Sequence, residues 1–143
     1  MKSAVTTALK NRLLKHEGLC LKPYRCSAGK LTIGIGRNLD DVGLSQNEAF
    51  YLLENDLKAC ENLCRDTFSW FETLNLIRQG VVIEMVFNLG INGFLGFKRM
   101  IKALIIRDYG GASDEMLNSR WAEQVGRRAT VLSTLMRTGK EVK

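Results

Sequence analysis

Glu17 is the only acidic residue before Asp40, in a stretch that carries eight lysines and arginines. It ends a predicted helix and is followed by the run Gly18-Leu19-Cys20-Leu21-Lys22-Pro23-Tyr24-Arg25-Cys26. A lone carboxyl in such surroundings can acquire an unusual proton affinity. Apolar neighbours would hold it protonated, as a general acid requires, whereas cations such as Arg12 and Lys15 would pull it towards the carboxylate. On the residues alone Glu17 is either a proton donor or a helix-end carboxylate in an ion pair. His16, the single histidine, reads as a helix-end packing residue and not as a catalyst.

The other residues capable of chemistry are four cysteines, at 20, 26, 60 and 64. Cys60 and Cys64 stand at i, i+4 on one helix face, a poor geometry for a disulfide. No cysteine pair has zinc-ligand spacing, so no metal is expected. Cys20, Cys60 and Cys64 read as reduced core thiols, and Cys26 stands apart from them. The run Ile33-Gly34-Ile35-Gly36 lacks the third glycine and the following helix start of a phosphate loop. Its glycines fit a tight bend or a close backbone approach instead.

These residues need elements to position them. Residues 3–15 predict an amphipathic helix, with Ser3 or Thr6 as N-cap, Val5, Leu9 and Leu13 on one side, and Gly18 as the stop. From Leu19 to Asn38 short extended pieces and turns predict a small glycine-rich sheet of three strands. Ser45-Gln46-Asn47-Glu48 is a capping box. Behind it Ala49, Leu52, Leu53, Leu57, Cys60, Leu63 and Cys64 recur at helical spacing, which predicts a long helix connecting two lobes. From about residue 75 the pattern is helical. The dense apolar run from Ile77 to Leu89 marks a buried centre, stopped by Gly90 and Gly93. A further helix is expected from Phe97 to Arg107, ended by Gly110-Gly111. Ser113 is expected to cap a short helix, and a last helix runs from Gly126 to about Gly139.

At 143 residues, 45% hydrophobic and 25% charged, the chain has the composition of one globular domain. The net charge of +6 is concentrated at the two ends: residues 1–37 hold eight basic and one acidic side chain, and residues 97–143 ten basic and five acidic. Such basic flanks suit either a solvated surface or an anionic polymer. The N-terminus is too polar for a secretory signal, which predicts a cytoplasmic protein.

The segment His16-Glu17-Gly18, Lys22 to Cys26 and Gly29 to Gly36 resembles the phage-type lysozymes of glycoside hydrolase family 24. That family has a Glu-Gly at the end of its first helix, an Asp nine residues after the Glu, a Thr six further on, and then Ile-Gly-x-Gly. Glu17 and Thr32 sit at those spacings, and Cys26 occupies the Asp position. Met85-Val86-Phe87-Asn88-Leu89-Gly90, Ser119-Arg120-Trp121, Arg128-Ala129 and Arg137-Thr138-Gly139 extend the resemblance over nearly the whole chain.

The resemblance implies an α+β, lysozyme-like fold: a three-stranded sheet lobe at about 17–44, a connecting helix at about 45–66, and a helical lobe at about 67–143 that also takes helix 1. It implies an endolysin that hydrolyses the β-1,4 bond between N-acetylmuramic acid and N-acetylglucosamine, with glycan in the cleft between lobes. Glu17 would be the general acid, opposite Cys26 and Thr32. Phe87, Asn88 and Arg120 would contact substrate, Arg128 would pair with Glu17, and Arg37 would pair with Asp56. The implied partner is peptidoglycan; no cofactor and no nucleic acid are implied. The protein would be a monomer in the bacterial host cytoplasm, released to the wall by a holin.

Cys26 is the departure from the family pattern. A thiol is mostly neutral at pH 7. Arg25 or Lys30 could stabilise its thiolate as base or nucleophile, or the thiol could only orient water. Two alternatives stand beside hydrolysis: a lytic transglycosylase using Glu17 alone, and a non-catalytic basic module that binds wall polymer or nucleic acid.

Overall fold

The computed structural model describes residues 1–141 and has the expected α+β arrangement of a small sheet followed by helices. The chain forms two compact units, Met1–Tyr51 and Leu52–Lys143.

In the first unit, helix α1 runs Thr7–Glu17. Of the two candidate caps Thr6 is the one used: its hydroxyl accepts from Leu9 N–H at 3.2 Å. Gly18, at φ 76°, ends the helix directly after Glu17. Strands β1 (Cys20–Arg25), β2 (Leu31–Gly34) and β3 (Arg37–Asn38) form an antiparallel sheet in that order. Tyr24 lies opposite Thr32 and Arg25 opposite Leu31, and the register is irregular between Cys20 and Tyr24. Pro23 falls in that interval; it has no N–H for the ladder, the usual reason a strand bulges at proline. In β2 the fully buried member is Thr32, at 4% exposure. Cys20 is exposed, so the expectation of a core thiol there is corrected.

Helix α2 (Gln46–Thr67) begins in the first unit and ends in the second. Its capping box is formed, with Glu48 N–H donating to Ser45 Oγ at 3.2 Å and Ser45 N–H donating to Glu48 Oε1 at 2.8 Å. Of its apolar stripe, Cys64 and Cys60 pack into the core of the second unit, while Leu52, Leu53, Leu57 and Leu63 are exposed.

The second unit continues with a 3-10 turn at Phe71–Thr73, then α3 (Leu76–Leu95), α4 (Lys98–Ile105), α5 (Tyr109–Leu117), α6 (Arg120–Val125) and α7 (Arg127–Thr138). Phe71, Val82, Met85, Phe94, Met100 and Met116 are among the buried side chains of one core. Gly90 breaks α3 at φ 75°, as expected, but helical structure resumes and Gly93 does not stop it. Gly110-Gly111 lie inside α5 instead of ending α4, because Asp108 caps α5 by accepting from Gly111 N–H at 2.9 Å. Ser113 is therefore no cap; it is buried within α5 and its hydroxyl donates to Ser133 O at 2.8 Å. Arg78 fastens α3 to the end of α7, donating to Met136 O at 2.7 Å and Arg137 O at 3.0 Å. A cation on those carbonyls also suits the negative end of the helix dipole. Among the described residues no single helix is long and apolar enough to cross a membrane.

Candidate active site

Within the first unit, the positions of Glu17, Cys26 and Thr32 follow from where each element ends. Glu17 is the last residue of α1, and Gly18 turns the chain so that the carboxyl is exposed. The side chain lies against Gly36, just after β2. A β-carbon built on Gly36 would stand 3.1 Å from Glu17 Oε2, 3.2 Å from its Cδ and 3.3 Å from its Cγ. Gly36 also has φ 74°, a conformation that side-chain-bearing residues avoid. Thus the second glycine of Ile33-Gly34-Ile35-Gly36 admits a close approach by the Glu17 carboxyl itself.

Cys26 follows the last residue of β1 and opens the turn to β2. Its N–H donates to Lys30 O at 2.9 Å, and its carbonyl accepts from Gly29 N–H at 2.8 Å. The N–H of Lys30, then that of Ala28, hold the thiol below its ordinary range; partial desolvation opposes them and the Thr32 hydroxyl assists. Hydrogen bonds to the ionised form are what make a thiolate accessible. The cations Arg25 and Lys30 are thus not the main cause; backbone amides are. The Thr32 hydroxyl also lies 2.9 Å from Lys30 O. It has one proton to give, so it serves either that carbonyl or the sulfur at a given moment.

Two aspartates support this turn from beyond β3. Asp40 Oδ2 accepts from Leu31 N–H at 2.8 Å and lies 3.6 Å from Arg25 Nη1, while Arg25 Nη1 donates to Gly29 O at 3.1 Å. Asp41 accepts from Lys30 Nζ at 3.1 Å. Neither aspartate was marked as functional by the sequence pattern.

Arg37 was expected to pair with Asp56. Its partner is Glu48, about two turns earlier on the same helix, held by two bonds of 2.7 and 2.6 Å. Arg37 also donates to Gly43 O at 3.0 Å. A bidentate fork on the capping-box carboxylate fits guanidinium geometry, and Glu48 is pulled down to about 2, by Arg37 first and by Ser45 next. Asp56 lies one turn before Cys60, whose thiol is raised by burial first and by that carboxylate second.

In the second unit the candidate contact residues cluster around the break in α3. Phe87 is exposed, and Asn88 Oδ1 accepts from Trp121 Nε1 at 2.9 Å. That bond places Asn88 beside the start of α6, where Arg120 is the first residue after the Ser119 cap. Arg120 lines an open cavity of about 500 Å³ with Lys98, Arg99, Glu115 and Trp121. Arg128 donates from Nε to Glu84 Oε2 at 2.8 Å. Glu84 is a partner that the apolar pattern of α3 concealed.

A family model described as phage lysozyme matches residues 14–140. An endolysin of Acyrthosiphon pisum secondary endosymbiont phage 1 is 30% identical over 131 residues, covering 89% of this chain and 87% of its own. A probable T4-type lysozyme of Dictyostelium discoideum is 27% identical over 164 residues, covering 94% and 96%. A SAR-endolysin of Escherichia phage Mu is 30% identical over 123 residues, covering 81% and 67%.

Proposed function

The chain belongs to the phage lysozyme family, and on that premise we propose that it is an endolysin that hydrolyses the β-1,4 bond between N-acetylmuramic acid and N-acetylglucosamine in bacterial peptidoglycan. The observation that carries this reading is the placing of a carboxyl and a thiol at opposite ends of β2. Glu17 lies over Gly36 after one end, and Cys26 lies by Thr32 and Lys30 at the other.

In the proposed reaction, protonated Glu17 gives its proton to the glycosidic oxygen as the bond from that oxygen to the anomeric carbon breaks. The Cys26 thiolate takes a proton from water while the water oxygen bonds to the anomeric carbon from the opposite face. Thr32 steadies the thiolate or the water through its hydroxyl. Glu17 is left as carboxylate and Cys26 as thiol, and solvent returns the proton. Phe87, Asn88 and Arg120 are the proposed glycan contacts in the second unit. The protein acts as a monomer, and a holin supplies its route from the host cytoplasm to the wall.

The test is digestion of purified peptidoglycan by wild type, Glu17→Gln, Cys26→Ser and Cys26→Asp. Glu17→Gln is expected to lose roughly 10²–10⁴-fold of the rate. Cys26→Asp is expected to retain activity and Cys26→Ser to lose most of it. New reducing ends support hydrolysis; 1,6-anhydro ends, with Cys26→Ser unimpaired, would replace it by transglycosylation through Glu17 alone.

A further inference from the structure

We propose that Asp40 is a positioning residue for Cys26, holding the turn that runs from Cys26 to Lys30. The proposal rests on the reading that Cys26 works in the active site, but its geometry stands apart from that reading. Strand β3 has only two residues, Arg37–Asn38, so the ladder beside β2 ends before it reaches Leu31. Two groups from the following residues take over. Leu39 N–H donates to Leu31 O at 2.7 Å, and Asp40 Oδ2 accepts from Leu31 N–H at 2.8 Å. The Asp40 carboxylate thus stands where the carbonyl of a longer strand would stand.

Leu31 directly follows Lys30, whose carbonyl closes the turn by accepting from Cys26 N–H at 2.9 Å. Fixing the Leu31 amide fixes the peptide plane that carries the Lys30 carbonyl. A second link runs through the other limb: Asp40 lies 3.6 Å from Arg25 Nη1, which donates to Gly29 O at 3.1 Å. Asp40 therefore touches both limbs of the turn that Cys26 opens. Asp41 adds an outer contact to Lys30 Nζ at 3.1 Å. Without Asp40 the turn loses its anchor at Leu31, and the Lys30 and Ala28 backbone that holds the thiol below its ordinary range is free to shift.

Charge and positioning predict opposite results, which makes the proposal testable. Removing a nearby negative charge should make the thiol more acidic. Removing the anchor should make it less acidic. Asp40→Asn and Asp40→Ala delete the same charge, but only asparagine keeps an oxygen that can accept from Leu31 N–H. The readout is the pH dependence of Cys26 alkylation by iodoacetamide, resolved from Cys20, Cys60 and Cys64 by peptide mass spectrometry. Asp40→Ala should move the Cys26 midpoint to higher pH and slow alkylation below that midpoint roughly threefold or more. Asp40→Asn should leave the midpoint in place or lower it. A midpoint in Asp40→Ala that stays with wild type, or falls as in Asp40→Asn, overturns the proposal. If Asp40→Ala does not fold, amide hydrogen exchange in the wild type decides: slow exchange at Leu31, together with Cys26 and Gly29, supports the anchor, and unprotected exchange at Leu31 overturns it. Neither measurement uses peptidoglycan, so a full-activity Cys26→Ser would defeat the catalytic reading and leave this one standing.

Discussion

At the scale of single residues, the proposed mechanism asks a thiol to do the work of a base. The Lys30 backbone first, then that of Ala28, holds the Cys26 thiol below its ordinary range, the direction that work requires. The four thiols should therefore separate by reactivity. Cys64 is fully buried and pushed up to about 11 by burial, and Cys60 is raised by the same cause. Timed alkylation at pH 7 should label Cys26 well before Cys60 and Cys64; equal labelling of Cys26 and Cys64 would contradict the cradle. Gly36 carries the second prediction at this scale. Alanine there meets three atoms of Glu17 at 3.1 to 3.3 Å and a φ of 74°, so Gly36→Ala must displace the carboxyl. We expect peptidoglycan hydrolysis to fall at least tenfold, and a thermal melt to show in addition the strain of a side chain at that φ. The Glu-Gly, Cys and Thr spacing made Glu17, Cys26 and Thr32 legible in sequence. Gly36 against Glu17 and Asp40 against Leu31 were not, because both depend on how turns close in space.

At the scale of elements, the joint between β3 and α2 depends on one carboxylate with two partners. Glu48 accepts from Ser45 N–H at the helix start and from Arg37 in β3. Its folded-state value of about 2 lies below the ordinary carboxylate range of about 4.3. For an acid whose folded value is depressed, the stabilisation is present above the ordinary value and is lost as pH falls through the folded one. Acid unfolding of wild type should thus steepen between about pH 4 and pH 2. Glu48→Gln should be less stable at pH 7 and flatter across that window, as followed by circular dichroism. The sequence marked the capping box but assigned Arg37 to Asp56, since helical spacing cannot tell which carboxylate lies opposite a strand. Similarly, Gly110-Gly111 read as a helix stop because a glycine pair usually is one. Asp108 reverses that outcome by capping the helix in which the pair lies. In α3 the break at Gly90 was legible, and φ 75° there makes Gly90→Ala destabilising by about 1 kcal/mol or more in a thermal melt.

At the scale of the whole molecule, α+β class, element order and the helical core were readable from periodicity and motif order, because burial of apolar faces dictates both. The capping box and the end of the last helix before Gly139 came within a residue or two, whereas the first helix, expected at 3–15, runs Thr7–Glu17. Long-range polar pairs such as Arg128 with Glu84 and Trp121 with Asn88 leave no periodic trace, and they define much of the candidate binding region. The net charge of +6, concentrated in residues 1–37 and 97–143, should draw the protein to anionic peptidoglycan. Sedimentation with purified cell wall should weaken as sodium chloride rises past physiological strength, where exposed charges are screened within about 8 Å. The central claim is that water, activated by Cys26 and not by a covalent step, attacks opposite the proton from Glu17. Proton NMR of the first products released from peptidoglycan reads this directly. The account predicts that the new reducing end appears first as the α anomer. An initial β anomer, or a 1,6-anhydro end, would contradict it.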